Sequence, residues 1–274
     1  MPSMILKMNI ELTTDVDVIS ASLDRQLVGG AKISSWRETT GIEVFLINID
    51  VDEKYHGLGI TQALLDEAEK ISRSKISKES GYTPLYGTNC DNDQPGFRNF
   101  LEENGYCEFF SVVDMELNLE NFSDVEKDIP YSIERLLPHQ VEEVFHLMMN
   151  SYLDREFIVE MEIGDEDTTE FLENLVDEDT FCFVAKNGKS IIGFVWVRNK
   201  DNKPYIGQLS VDPAHLRRGI ARALMTRALH ELKILGETLV WLDTSGEDVS
   251  GARSLYNSLG FSVVKTYHRF RKPM

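Results

Sequence analysis

Leu209-Ser210-Val211-Asp212-Pro213-Ala214-His215-Leu216-Arg217-Arg218-Gly219-Ile220-Ala221 is the stretch on which the reading of this chain turns. Apolar Leu209 and Val211 close a strand, Pro213 cannot continue a ladder, and a helix is expected to open near Gly219. A helix N-terminus carries free N–H groups and a partial positive charge, so it suits a phosphate. Gly219 and Ala221 are small enough to let phosphates approach the backbone, and Arg217 and Arg218 add cationic donors. A strand-to-helix turn with solvated arginines would show the same residues, so the loop needs support from elsewhere in the chain.

The first support is a repeat. Val51-Asp52-Glu53-Lys54-Tyr55-His56-Gly57-Leu58-Gly59-Ile60 aligns with Val211 to Ile220 at an offset of 160 residues. Gly96-Phe97-Arg98-Asn99-Phe100-Leu101 and its continuation to Tyr106 align with Gly251 to Phe261 at an offset of 155. Two matched blocks in the same order indicate a tandem duplication. The extra residues of the first half are expected at 75–81, and the junction falls in the polar segment 118–130. The domains expected are therefore 1–122 and 129–274.

Hydrophobic periodicity then orders the elements. The second half reads as strand 131–135, helix 138–153 and helix 168–176. Strands 180–186 and 190–198 follow around the hairpin signal Asn187-Gly188. Next come strand 205–211, helix 219–235, strand 238–243, helix 250–259 and strand 262–270. The first half lacks the two opening helices. Its strands are expected at 18–23, 28–36 and 42–51, then a helix from Ile60, strand 85–90, helix 95–104 and strand 107–119. The fold class expected is α/β (α+β): two tandem domains, each a mixed, mostly antiparallel sheet flanked by helices.

Length and charge bound the function. The 274 residues suffice for two cores, and 42% hydrophobic with 27% charged residues is an ordinary globular composition. No apolar run reaches the roughly 18 residues a membrane helix needs, and the first residues show no charged-then-apolar leader. Cys90, Cys107 and Cys182 have no C-x-x-C spacing, so neither a disulfide framework nor a Cys-based metal site is expected, and a cytoplasmic setting is. Lys and Arg number 28 against 46 Asp and Glu, a net charge of −18. Such a surface disfavours nucleic acid and anionic lipid, which are bound mainly through basic side chains. The balance is uneven: residues 154–179 hold 12 acidic side chains with Arg155 alone basic, whereas 198–227 hold seven basic and two acidic ones.

The pattern V-x-P-x-x-x-R-R-G-I-A over Val211–Ala221, followed about 35 residues later by L-Y-x-x-L-G-F from Leu255 to Phe261, resembles motifs A and B of the GNAT family of acyl-CoA-dependent N-acetyltransferases. The resemblance extends over 131–270 and, more weakly, over 10–119. It implies that acetyl-CoA is the cosubstrate. The backbone of Leu209, Ser210 and Val211 would pair with the pantetheine arm, and the loop of Arg217, Arg218, Gly219, Ile220, Ala221 and Arg222 would hold the pyrophosphate. It also implies that Tyr256 is the general acid that protonates the departing thiolate. The glutamate that serves as base in one branch of the family falls on Tyr205, so that role does not transfer. Asp243, at the end of the next strand, is the substitute, with a capping or turn role as its alternative. Leu216 stands where the family has a phosphate donor, and Asp248 and Val249 stand near a missing asparagine. In the first half Glu53 replaces Pro213, Gly57-Leu58 replace the arginines, and Leu101 replaces Tyr256, so catalysis is expected only in the second.

The function expected is transfer of an acetyl group to a primary amine, small or peptidic and cationic in character. Tyr152, Asp154 and Glu156 are the candidate substrate residues, because the acidic segment lies where the family places its substrate-covering helices. A second copy of the chain is a further candidate partner. The competing reading is a non-catalytic acyl-CoA-binding regulatory module.

Overall fold

The computed structural model describes residues 10–38, 40–77, 81–123, 129–152, 169, 173–175, 180–247 and 250–274. The chain forms two units, the first comprising residues up to Phe109 together with Tyr267–Met274, the second running from Phe110 to Thr266. The expected helix 168–176 overlaps the described residues only at Thr169 and 173–175.

In the first unit, β1 (Ile10–Asp15), β2 (Val18–Leu23), β3 (Gln26–Glu38) and β4 (Ile42–Val51) form an antiparallel meander. β1 was not expected from the sequence, because Thr13, Thr14 and Asp15 dilute its alternation. Helix α1 (Ile60–Lys75) buries Leu64, Leu65 and Ala68 and crosses to β5 (Thr83–Asp91), which runs parallel to β4. Helix α2 (Pro95–Glu103) follows, with Leu101 fully buried.

The second unit repeats the scheme with β7 (Ser132–Arg135), α3 (Val141–Tyr152), β8 (Phe181–Asn187), β9 (Ser190–Lys200) and β10 (Lys203–Val211). Then come α4 (Ile220–Ile234), β11 (Leu239–Ser245) and α5 (Ala252–Ser258). Period-two alternation loads both faces of this sheet. Val195, Val197, Ile206, Val240 and Leu242 pack with Leu224, Ala228 and Leu229 of α4. Val184, Phe194 and Trp196 pack with Val144, Leu147 and Met148 of α3.

The last strand of each half is exchanged: the strands that end the expected ranges 1–122 and 129–274 each pair in the sheet of the other half. Strand β6 (Cys107–Asn118), expected to finish the first domain, pairs antiparallel with β11 from Leu239↔Asn118 to Ser245↔Val112. Strand β12 (Ser262–Pro273) pairs antiparallel with β5 from Tyr267↔Asp91 to Pro273↔Leu85. The buried side chains explain the pairing. Met115 and Leu117 of β6 belong to the core of the second unit, and Phe270 of β12 to that of the first. Glu38 is 0% exposed, and both its oxygens accept hydrogen bonds from the Arg271 guanidinium. A buried carboxylate requires such a partner. Lys272 donates to Glu69 at 2.7 Å, and the Tyr106 hydroxyl bonds the same oxygen at 3.1 Å. In the second unit Ser111 and Ser245 both donate to Glu247. Burial opposes ionisation of Glu247, but these bonds prevail and hold its carboxyl below the usual range.

Among the described residues no helix is long and apolar enough to cross a membrane, and no three His, Cys, Asp or Glu side chains gather as metal ligands.

Candidate active site

Strands β10 and β11 run parallel but share a single register pair, Tyr205↔Trp241. Beyond it β10 stays paired with β9 as far as Val211↔Gly193. The edge of Leu209, Ser210 and Val211 that would face β11 is thus left with backbone donors and acceptors for a ligand. In the first unit β4 and β5 part likewise, after Leu46↔Gly87. The opening in β10 starts at a bulge between Ile206 and Gln208. A Cβ on Gly207 would lie 2.9 Å from Trp196 Cε3, so the indole packs directly on the bulged backbone.

After β10, Asp212 accepts the Ala214 N–H at 2.9 Å and caps the short turn Pro213–His215. Arg217 (φ 62°) and Gly219 (φ 81°) are both left-handed, and α4 begins directly. The first amide to bond back is that of Ala223, onto the Gly219 carbonyl at 3.0 Å, and the N–H groups of the opening turn point out of the helix end. The first unit has the same trace: Gly57 (φ 78°) and Gly59 (φ 82°) occupy the matched positions, and Ala63 bonds Gly59 at 3.1 Å. The left-handed position that Gly57 adopts freely holds an arginine in the second unit.

The arginines divide their work. Arg217 reaches to the start of α5, where a Cβ on Gly251 would lie 3.2 Å from its Nη1. Arg222 donates to the Ser258 hydroxyl on α5. Arg218, expected as a phosphate donor, braces the loop, with Nη1 donating to the Tyr131 hydroxyl at 3.1 Å and Nη2 to the Ala214 carbonyl at 3.2 Å. The second half therefore sends Arg217 and Arg222 toward α5 and commits Arg218 to Tyr131 and the turn.

Ser210 is buried and accepts from Gln208 Nε2 at 2.9 Å and from the Ser151 hydroxyl at 3.1 Å. This polar chain ties the last turn of α3 to β10. Sequence reasoning missed Gln208 and Ser151, since neither belongs to a recognisable spacing. The Tyr205 hydroxyl donates to Asp243, so the tyrosine at the position of the absent glutamate orients the carboxylate chosen in its place. Asp114 of β6 stands directly opposite Asp243 in the ladder. Tyr256 lies on α5 with its ring buried, 5.9 Å from Phe261 and tilted by 61°. Tyr152 ends α3, and the other two candidate substrate residues, Asp154 and Glu156, lie outside the described residues.

The two units thus share a mixed sheet with a parted parallel pair and a glycine-marked helix start. The profile of the acetyltransferase (GNAT) family matches residues 6–106 and 142–261, and the chain belongs to that family as a tandem-domain member. It is 36% identical over 106 residues to an uncharacterized N-acetyltransferase of Methanocaldococcus jannaschii, covering 35% of this chain. The chain spans 46% of the length of that relative. A GCN5-related N-acetyltransferase from Sphaerobacter thermophilus superposes with a TM-score of 0.75 at 16% identity, covering 96% of this chain and 82% of the other. A tandem GNAT protein from the clavulanic acid biosynthesis pathway superposes at 0.67 and 15% identity, covering 96% and 83%. These two likenesses establish the fold.

Proposed function

We propose that the protein is an acetyl-CoA-dependent N-acetyltransferase acting on a primary amine, with the second unit as its catalytic domain. The observation that carries this reading is an asymmetry between matched positions on one backbone trace. The second unit has Arg217 and Tyr256 where the first has Gly57 and Leu101. Acetyl-CoA supplies the activated acetyl group. Leu209, Ser210 and Val211 offer backbone partners to its pantetheine amides. The loop from Arg217 to Arg222 offers amides and guanidinium groups to its pyrophosphate.

The attacking amine must be neutral, and free amines of this kind titrate near pH 10. Asp243, aligned by the Tyr205 hydroxyl, takes the proton directly or through a water. Tyr256 returns a proton to the leaving thiolate. The first unit acts as a structural partner without turnover of its own.

The test is incubation of the purified protein with acetyl-CoA and a panel of amines, read as free thiol released. Amine-dependent release is expected. Tight binding of acetyl-CoA with no amine releasing thiol would favour the non-catalytic regulatory module and overturn this reading.

A further inference from the structure

Arg198, near the end of β9, is not used by the phosphate loop, and it borders a cavity of about 390 Å³. That is large enough for a small metabolite. Its walls are Trp196, Arg198, Asn199 and Asn202 of the β9–β10 hairpin, with Asn174 and Thr180 from the preceding segment. Asp201 is the carboxylate among the lining residues. The cavity adjoins the parted strands, because Trp196 and the Arg198 stem both pack on the bulged Gly207, at 2.9 and 3.3 Å from where its Cβ would be.

Arg198 is held for use. Its guanidinium carbon lies 5.4 Å from the ring centres of both Trp196 and Tyr205. Aromatic faces fix the plane of the guanidinium while leaving its N–H edge open to a ligand. Among the described residues its Nε is buried without a hydrogen-bond partner, and no carboxylate pairs with it. A guanidinium N–H in that condition is costly unless something polar arrives. Lys200 sits 4.4 Å from the Tyr205 ring centre and Lys203 4.7 Å from that of Trp241, adding positive charge along the same edge.

We propose that this cavity binds the carboxylate of the acetyl acceptor, which is therefore a basic amino acid rather than a simple diamine. Arg198 takes the α-carboxylate in a charge-assisted contact, and Asp201 faces the α-ammonium. The side-chain amine extends past Tyr205 toward Asp243, since Tyr205 carries Arg198 on its ring and bonds Asp243 through its hydroxyl. This deepens the N-acetyltransferase reading and rests on it for the reacting end of the ligand.

The experiment compares L-lysine with 1,5-diaminopentane, and L-ornithine with 1,4-diaminobutane, as acceptors and as calorimetric ligands. A ten- to hundredfold higher kcat/KM for each amino acid over its decarboxylated counterpart is expected, carried by KM. Arg198→Gln should narrow that ratio to within about threefold, and Arg198→Lys should keep part of it. Equal or better use of the diamines by the wild type overturns the proposal whatever the variants do. Should no amine release thiol, calorimetry separates the claims. Binding of L-lysine but not 1,5-diaminopentane, lost in Arg198→Gln, would sustain the carboxylate site while the acetyltransferase reading fell. Absence of that binding would remove the site as well.

Discussion

Arg217 offers a perturbation in which binding and stability are expected to part. It holds a left-handed backbone position, and the matched residue of the first unit is Gly57. Arg217→Gly therefore transplants the solution that the same chain uses elsewhere. Relief of a left-handed non-glycine residue is worth about 1–2 kcal/mol, and the added freedom of glycine in the unfolded chain costs about 0.5–1 kcal/mol. The two nearly offset, and for a unit of this size the melting temperature should move by less than about 4 °C. Binding should behave differently. Loss of one charge-assisted contact to phosphate, worth roughly 1.5–3 kcal/mol, corresponds to about ten- to hundredfold weaker acetyl-CoA affinity. Arg218→Ala should do the reverse, because its donors are engaged with Tyr131 and Ala214. It should lower the melting temperature by a few degrees and weaken binding by less than about fivefold. Calorimetry and thermal melts on the two variants decide the matter. An Arg217→Gly protein that binds acetyl-CoA within twofold of wild type would refute the placement of this guanidinium at the pyrophosphate.

Four further outcomes are expected. Tyr256→Phe keeps the buried ring and removes the hydroxyl, so kcat should fall by up to about 10²–10³-fold with acetyl-CoA affinity nearly intact; an unchanged kcat would make Tyr256 a packing residue. Tyr205→Phe leaves Asp243 without its donor and should lower kcat more than KM changes, measured by steady-state kinetics with a single amine. Gly59→Asp should spare turnover while Gly219→Asp abolishes it, and equal losses would mean that the first unit also works. Arg271→Met strands the buried Glu38 carboxylate, which costs about 3–5 kcal/mol, and amide exchange should show β5 losing protection ahead of β10.

Much of this was readable from residues alone. The loop from Val211 to Gly219, the repeat, the Asn187-Gly188 hairpin and the single strand-to-strand crossover of each half follow from turn chemistry and periodicity, which are local. The exchange of β6 and β12 is a choice between equally plausible neighbours for two strands of similar pattern. It is decided by side chains far apart in sequence, such as Arg271 and Glu38, which lie 233 positions apart. The division between Arg217 and Arg218 escaped for a related reason. Adjacent identical residues look equivalent until one adopts φ 62° and the other meets Tyr131. Tyr205 shows the converse: its place in the motif was legible as an absence of carboxylate, but its bond to Asp243 was not.

The exchanged strands set a timetable for synthesis. Residues 267–273, which complete the sheet beside β5, are translated 176 positions after Asp91. At roughly 5–20 residues per second that is an interval of about 9–35 s. Throughout it the first unit has its meander and helices but an open β5 edge, a surface on which other chains can pair. The second unit, by contrast, opens with strand β6, so the partner of β11 is made before the rest of that unit. It can close once Phe261, the last buried residue of its core, emerges, so the later half of the gene should still yield the earlier finished body. A newly made chain would then depend on chaperones chiefly on behalf of the half that was translated first.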